Sequence, residues 1–151
     1  MGKPGIEAIL EKAGLSEKTL DSTSISFGIA PRINAAGRMG TAERALDLLL
    51  ADDPYSASEM AEEVNVMNTQ RHTEEDKIFN EAVAYLQDHS ELAHLPILVV
   101  SGKGWHEGVL GIVASKLLER YLRPVIVLTD KGYLCKGSAR SIEGFSIYDA
   151  M

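Results

Sequence analysis

The chain has 151 residues, 45% of them hydrophobic, which is enough to bury the core of one ordinary domain or of two small lobes. Its 15 Lys and Arg residues are outnumbered by 22 Asp and Glu residues, and the formal net charge of −7 excludes a uniformly basic nucleic-acid coat. Cys135 is the single cysteine, which excludes an internal disulfide framework, and no apolar run is long enough to span a membrane. We therefore expect a cytoplasmic protein in which Cys135 is a small buried side chain and any contact with phosphate is local.

Three elements are predicted in the first third of the chain. Residues 4–13 carry apolar side chains at helical spacing between a proline and a glycine, which indicates a short helix. Further along, Ile25, Phe27 and Ile29 alternate with small residues ahead of a proline and two glycines, which predicts a strand and then a shaped loop. Thr41 suits the N-cap of a second helix. The apolar side of that helix is predicted to consist of Ala45, Leu46, Leu49 and Leu50.

A long helix is predicted in the middle of the chain. Between Tyr55 and about His89 there is no glycine or proline, and apolar residues recur at nearly helical spacing. At about 1.5 Å per residue, such a helix would span on the order of 50 Å. We interpret its acidic run Glu74, Glu75 and Asp76 as a solvated face. A helix of this length is a natural connector between two domains.

The last third is predicted to form an α/β unit. ILVVS and RPVIVLTD are compact apolar strands, and GVLGIVASKLLERYL between them has helical periodicity, so the strands should lie parallel and be joined by a right-handed crossover. After a turn at Lys131 and Gly132, YLCKGSAR is expected to return as an antiparallel neighbour. The final FSIYDAM is expected to start another helix, which indicates a piece of a larger fold.

Two segments contain arginines among small residues. In APRINAAGRMG, residues 30–40, Arg32 and Arg38 stand where the backbone can approach a ligand and a guanidinium can bind phosphate through two N–H groups. In KGSARSIEGF, residues 136–145, Ser138, Arg140 and Ser141 supply the parts of a phosphate clamp after glycine-containing turns. The alternatives are a solvated surface loop for the first segment and an ordinary serine-rich turn for the second.

A glycine-rich segment also joins a strand to a helix at residues 102–115, GKGWHEGVLGIVAS. Ligands often bind at this edge of a parallel sheet. Trp105 could stack on a base, and His106 could bind a phosphate or carry a proton. Alternatively, Trp105 packs between domains and His106 caps the helix.

The sequence indicates a binder more clearly than a catalyst. The four histidines, His72, His89, His94 and His106, show no spacing to one another or to other ligand residues that marks a metal site. No GxSxG motif or plausible Ser/His/Asp order is present. We therefore expect no catalytic residue and no metal ligand in this chain.

Three segments together resemble one protein family. FGIAPRINAAGRMGTAERALDLLL, WHEGVLGIVASKLLERYLRPVIVL and KGSARSIEGFSIYDAM, in this order, are similar to the RecJ family of single-strand-specific exonucleases, which belongs to the DHH phosphoesterase superfamily. The likeness extends from about Pro4 to Met151. It implies an incomplete α/β piece: residues 1–54 would close a DHH domain, residues 55–91 would form an interdomain helix, and residues 92–151 would begin a DHH-associated domain.

The resemblance implies 5′-to-3′ hydrolysis of single-stranded DNA in recombination and repair. In the family, Mn²⁺ or Mg²⁺ bound by the DHH motifs activates water; those motifs are missing here, so we expect the isolated piece to bind no metal and to be inactive. Single-stranded DNA is the implied partner. Another DHH phosphoesterase, acting on oligonucleotides or cyclic dinucleotides, and a non-catalytic nucleic-acid-binding module remain alternatives, and exposed apolar surface leaves self-association open.

The resemblance also implies roles for five residues. Ser138 and Arg140 match the family's pocket for the 5′-terminal phosphate. Arg38 is expected to face the scissile phosphate or the nearby backbone, with Asn34 orienting that loop. His106 is a weaker candidate, which would line the active-site cleft of the family.

Overall fold

The computed structural model describes residues 2–150, which divide into two compact units, one up to residue 72 and one from residue 73 onward. One long helix, α5 (Pro54–Asp88), contributes residues to both. It confirms the helix predicted between residues 55 and about 89. Helices together with a mixed three-stranded sheet confirm the α/β class.

The first unit is helical throughout its regular elements. It contains α1 (Pro4–Lys12), α2 (Ser22–Ser24), a π-helical turn (Ile25–Ile29), α3 (Ala30–Met39), α4 (Ala42–Leu50) and the first part of α5. The predicted helices at residues 4–13 and after Thr41 are confirmed. Thr41 occupies the N-cap of α4, although its side chain makes no capping hydrogen bond.

The predicted strand and loop at residues 25–40 are wrong, because this segment is helical. Pro31 has no N–H to donate to the carbonyl four residues earlier, and the helix widens just before it, where the Ala30 N–H bonds to the Ile25 carbonyl. The alternating apolar pattern covered too few residues to define a buried strand face. Phe27, a member of that pattern, is 79% exposed.

Small residues let the helices of the first unit pack closely. A Cβ on Gly5 of α1 would collide with the backbone carbonyl of Leu48 in α4. The core of the unit is formed by Ala8, Ile9, Ala36, Ala45, Leu48, Ala57, Ala61 and Val64. The predicted apolar side of α4 is wrong for Leu46 and Leu50. Their exposed fractions are 54% and 59%, whereas Leu48 is fully buried. The run of three leucines offers two helical faces, and only packing decides between them.

The second unit is a three-stranded sheet with a helix on one face. Besides the end of α5 it contains a 3₁₀ turn (Leu92–His94), β1 (Leu98–Lys103), a 3₁₀ turn (Glu107–Val109), α6 (Leu110–Tyr121), β2 (Val125–Asp130) and β3 (Cys135–Arg140). The parallel pairing of β1 with β2 and the antiparallel pairing of β2 with β3 are both confirmed. Alternate residues of β2 are buried, and α6 buries Val113 and Leu117.

Three smaller expectations about the second unit are wrong. Cys135 is exposed, because it begins β3, an edge strand whose first three residues are all exposed. Residues 147–150 form turns instead of a helix, and Met151 lies outside the described residues. Glu75 is 3% exposed and bonds to Lys116, so the acidic run on α5 is not uniformly solvated. Within residues 2–150, no helix combines the length and the apolar character needed to cross a membrane.

Candidate functional site

Ser138 and Arg140 come together on β3. Being two residues apart on a strand, they lie on the same face of the sheet. The guanidinium of Arg140 donates from Nη1 to the Ser138 hydroxyl at 3.1 Å and to the Ala139 carbonyl at 2.8 Å. Its Nε donates to the hydroxyl of Ser115 on α6 at 3.1 Å. The arginine is therefore exposed and at the same time held in a defined orientation.

Two glycines shape the surroundings of this pair. Gly137 lies beneath the side chain of Leu128, where a Cβ would collide with that side chain and come within 2.6 Å of the Val127 carbonyl, so β3 can pair closely with β2. A Cβ on Gly111 of α6 would lie 3.0 Å from Nη2 of Arg140 and 3.2 Å from the Ser138 hydroxyl. The helix backbone therefore leaves open the space above these two polar groups.

The arrangement can bind an oxyanion. Nη2 of Arg140 makes no hydrogen bond to any residue between 2 and 150, and the Ser138 hydroxyl, which accepts from Nη1, still has a proton to donate. A guanidinium beside a hydroxyl is a common phosphate ligand set. Ser141, the third predicted member of the clamp, turns away and donates to the Phe145 carbonyl at 2.5 Å.

A cluster of charged residues stands beside the pair. Lys136, two residues before Ser138 on the same face of β3, and Lys131 each bond to the Glu107 carboxylate at 3.0 Å. Hydrogen bonds from Lys131 and Lys136 lower the pKa of Glu107 to about 2. Sequence reasoning missed this cluster, because Glu107 lies 24 residues before Lys131 in the chain.

Trp105 and His106 support the fold directly. Trp105 is 5% exposed, lies against Gly102 and donates its indole N–H to Glu81 at 2.7 Å. The prediction that it stacks on a base is therefore wrong. Nδ1 of half-buried His106 accepts a hydrogen bond from the Gly108 N–H at 3.2 Å, which caps the 3₁₀ turn that leads into α6.

In the first unit, Asn34 and Arg38 lie on one exposed face of α3. They are four residues apart on the helix and therefore neighbours on its surface. Their segment is helix, so the prediction that Asn34 orients a loop is wrong. A cavity of about 340 Å³ opens next to Asn34. It is lined by Ile33, Asn34, Gly37, Ala42, Ala45, Leu46 and Leu49.

Arg32 is a structural residue, contrary to its interpretation as a phosphate ligand. Its guanidinium donates to the carbonyls of Gly28 at 2.6 Å and Lys12 at 3.1 Å, and to the side chain of Asn65 at 3.0 Å. Burial lowers the pKa of Arg32. The donors of Arg32, which lies on α3, are thus directed into the protein. They connect the π-helical turn, α1 and α5 through hydrogen bonds.

The described residues do not form a metal centre of their own. No group of three or more His, Cys, Asp or Glu side chains between residues 2 and 150 could hold an ion.

Comparisons with known proteins agree on one family. The sequence model of the DHHA1 domain matches residues 94–151. The chain is 36% identical over 150 residues to the single-stranded-DNA-specific exonuclease RecJ of Bacillus subtilis, which is 97% of this chain and 19% of that protein. It is 36% identical over 152 residues to the RecJ of Escherichia coli, which is 99% of this chain and 26% of that protein.

Solved structures give the same result. The crystal structure of RecJ in complex with Mn²⁺ from Thermus thermophilus superimposes with a TM-score of 0.81 at 37% identity, covering 97% of this chain and 21% of that one. A crystal structure of exonuclease RecJ bound to manganese gives 0.83 at 34% identity, covering 97% of this chain and 35% of that one. The chain thus spans about a fifth to a quarter of the length of the curated relatives cited. Fold, sequence and domain match together show that the chain is similar to one part of the RecJ exonucleases and that its residues 94–151 match the DHHA1 domain.

Proposed function

We propose that the protein carrying this chain is a single-stranded-DNA-specific exonuclease that works from the 5′ end, and that this chain holds the 5′-terminal phosphate. The observation that carries the proposal is the fixed guanidinium of Arg140 beside the Ser138 hydroxyl. The relatives are named single-stranded-DNA-specific exonucleases, which supports the reaction and the substrate.

The pair would favour a terminal phosphate over an internal one for an electrostatic reason. A terminal phosphate monoester carries a charge of about −1.5 to −2 at neutral pH, whereas each internal phosphodiester carries a single charge. Nη2 of Arg140 and the Ser138 hydroxyl offer two donors to its oxygens. Fixing the end of the strand places the first linkage at a constant distance, which lowers the entropic barrier to its hydrolysis.

The first unit would contact the DNA backbone. We assign this role to Arg38, near the scissile phosphate, and to Asn34 beside it on the same exposed face of α3. His106 is assigned a weaker role in lining the cleft. In the domain organisation that we propose, residues 1–54 close the DHH domain, residues 55–91 connect it, and residues 92–151 begin the DHH-associated domain.

Metal chemistry is assigned to other parts of the full-length protein. Solved relatives are described with Mn²⁺ or Mg²⁺, and such an ion supplies an activated water for phosphodiester hydrolysis. The side chains of residues 2–150 do not fit a site of this kind, because they form no cluster of metal ligands. We therefore propose that the isolated chain binds DNA without cleaving it, and that the full-length protein acts in DNA recombination and repair in the cytoplasm.

The proposal is tested in the full-length protein with single-stranded DNA that carries either a 5′-phosphate or a 5′-hydroxyl. Arg140→Ala is expected to lower kcat/KM for the phosphorylated strand by about 10- to 100-fold, because charge-assisted hydrogen bonds are lost. The hydroxyl-terminated strand should be affected much less. Arg38→Ala should slow both strands to a similar extent. Unaltered degradation of the phosphorylated strand by the Arg140 variant would sink the proposal.

A further inference from the structure

Residues at regular intervals along α6 and the turn before it contact alternate residues of β3, including Ser138 and Arg140. Within α6, Gly111 and Ser115 are separated by four residues, a rise of about 6 Å along an α-helix. On β3, alternate residues are separated by about 6.7 Å, so these two positions face Ser138 and Arg140. Glu107, in the 3₁₀ turn just before α6, adds a third position through its contact with Lys136. The three pairs are Glu107 with Lys136, Gly111 with Ser138, and Ser115 with Arg140.

Ser115 controls the plane of the Arg140 guanidinium. Its hydroxyl donates to the Gly111 carbonyl at 3.1 Å and accepts from Nε of Arg140 at 3.1 Å, so the hydroxyl hydrogen and a lone pair are both directed. The other two hydrogen bonds of Arg140, to Ser138 and Ala139, both use Nη1. With these two alone the guanidinium could pivot about Nη1. The bond at Nε removes that freedom and fixes where Nη2 points.

Gly111 controls the space that Nη2 faces. A methyl group at this position would lie 3.0 Å from Nη2 and 3.2 Å from the Ser138 hydroxyl. Both groups would have to move by a few tenths of an ångström, and the methyl group would take up room beside them that a phosphate oxygen could use.

We propose that Ser115 is a positioning residue and Gly111 a specificity-determining residue for recognition of the 5′-phosphate, an inference that depends on the proposed role of Arg140. Ser115 acts through Arg140 and does not touch the ligand. Gly111 acts by leaving the space open. This face of α6 thereby forms the second wall of the phosphate site.

The test measures the preference for a 5′-phosphate, defined as the ratio of the Kd values for hydroxyl-terminated and phosphorylated single-stranded DNA. It uses the full-length protein with a chelator present, so that no strand is degraded. Ser115→Ala should lower the preference by about tenfold, the typical effect of losing one hydrogen bond to a charged group. Ser115→Thr, which keeps the hydroxyl, should restore most of it. Gly111→Ala should also lower the preference, and the Kd for the hydroxyl-terminated strand should stay unchanged in all three variants.

Ser58→Ala is the matched control, because Ser58 is exposed on α5 and undergoes the same change within a helix. A Ser115→Ala protein that keeps its preference while Arg140→Ala loses it would overturn the role of Ser115 and leave the proposed function standing. Equal losses in Ser115→Ala and Ser115→Thr would also overturn it, since the hydroxyl would then not be responsible. A Gly111→Ala protein with full preference would overturn the role of Gly111. Absence of any preference in the unsubstituted protein would instead refute the proposed function itself.

Discussion

Two arginines of this chain have opposite environments. Arg32 directs its donors to Gly28, Lys12 and Asn65, and burial lowers its pKa. Arg140 is exposed, and its Nη2 makes no hydrogen bond to any residue between 2 and 150. The sequence could not separate the two, because two of the groups that occupy Arg32 lie 20 and 33 residues away in the chain. Both arginines stand near small residues in the sequence. Small residues allow another group to approach the backbone closely, but they do not show whether that group belongs to the protein or to a ligand.

Arg32→Ala is therefore expected to destabilise the first unit. The change leaves two backbone carbonyls and a side-chain amide without their donor, and we expect a loss of about 2 kcal/mol in the free energy of unfolding. Urea denaturation measures it. Lys18→Ala, an exposed change in the same unit, should stay within about 0.5 kcal/mol of the unsubstituted protein. Equal stability of the two variants would show that the Arg32 contacts are dispensable.

At the scale of elements, local chemistry determined which predictions were correct. The beginning of α5 follows from Pro54 and from the Asp53 carboxylate, which accepts the Ser56 N–H and whose pKa this bond lowers. The predictions of strands β1 and β2 are correct because two short apolar runs stand on either side of a segment with helical periodicity. The strand predicted near Phe27 fails because Pro31 perturbs a helix there and does not end it. The contacts between β3 and α6 could not be predicted, since they depend on the register of tertiary packing.

The second half of α5 is joined to α6 by an ion pair. Nζ of Lys116 lies 2.5 Å from the Glu75 carboxylate and 3.4 Å from that of Asp76, and 5.7 Å from the centre of the Phe79 ring. The Glu75 side chain is 4% exposed and that of Lys116 is 38% exposed, so solvent screens the pair from the lysine side only. The hydrogen bond to Glu75 raises the pKa of Lys116.

Lys116→Met is expected to lower the stability of the second unit by about 1–3 kcal/mol, because a buried carboxylate loses its ammonium partner. Lys77→Met is the control, since exposed Lys77 lies 3.7 Å from half-buried Glu74, and it should change stability by less than about 0.5 kcal/mol. Thermal denaturation followed by circular dichroism gives both values. Similar results for the two variants would contradict a stabilising role for the Lys116 pair.

The same pair predicts a pH dependence. The folded-state pKa of Lys116 lies above the unfolded value of 10.5, so its contribution to stability is complete below pH 10.5 and is lost as the pH rises through the folded value. The unsubstituted protein should therefore lose stability more steeply than Lys116→Met on alkaline titration above that pH. Parallel curves for the two proteins would show that the ammonium contributes nothing.

At the scale of the whole molecule, the net charge of −7 and a phosphate site are compatible because the site is local. Lys131 and Lys136 both form ion pairs with Glu107. Arg140 is therefore the principal cation at the proposed site in the second unit. The sequence predicts a domain end at residues 1–54, a connecting helix at residues 55–91 and a second domain from residue 92, whereas the compact units of the structure divide within α5, between residues 72 and 73. Composition could give the overall charge, but only the fold shows which cations are already paired.

The salt dependence of DNA binding should therefore be shallow. Each phosphate contact with single-stranded DNA contributes about −0.7 to the slope of log K against log salt, so one or two contacts predict a slope between about −0.7 and −1.4. Fluorescence anisotropy of a labelled oligonucleotide at several salt concentrations measures the slope. A slope steeper than about −4 would require an extended basic surface, which contradicts a local site.

The 5′-phosphate site is tested most directly by binding of this chain to short single-stranded oligonucleotides with and without a 5′-phosphate, at low salt and with Mn²⁺ present. We predict that the phosphorylated strand binds more tightly, that Arg140→Ala abolishes the difference, and that neither strand is cleaved. Equal binding of the two strands would contradict the assignment of the 5′-phosphate site to Ser138 and Arg140. Metal-dependent cleavage by the chain alone would contradict the assignment of catalysis to other parts of the full-length protein.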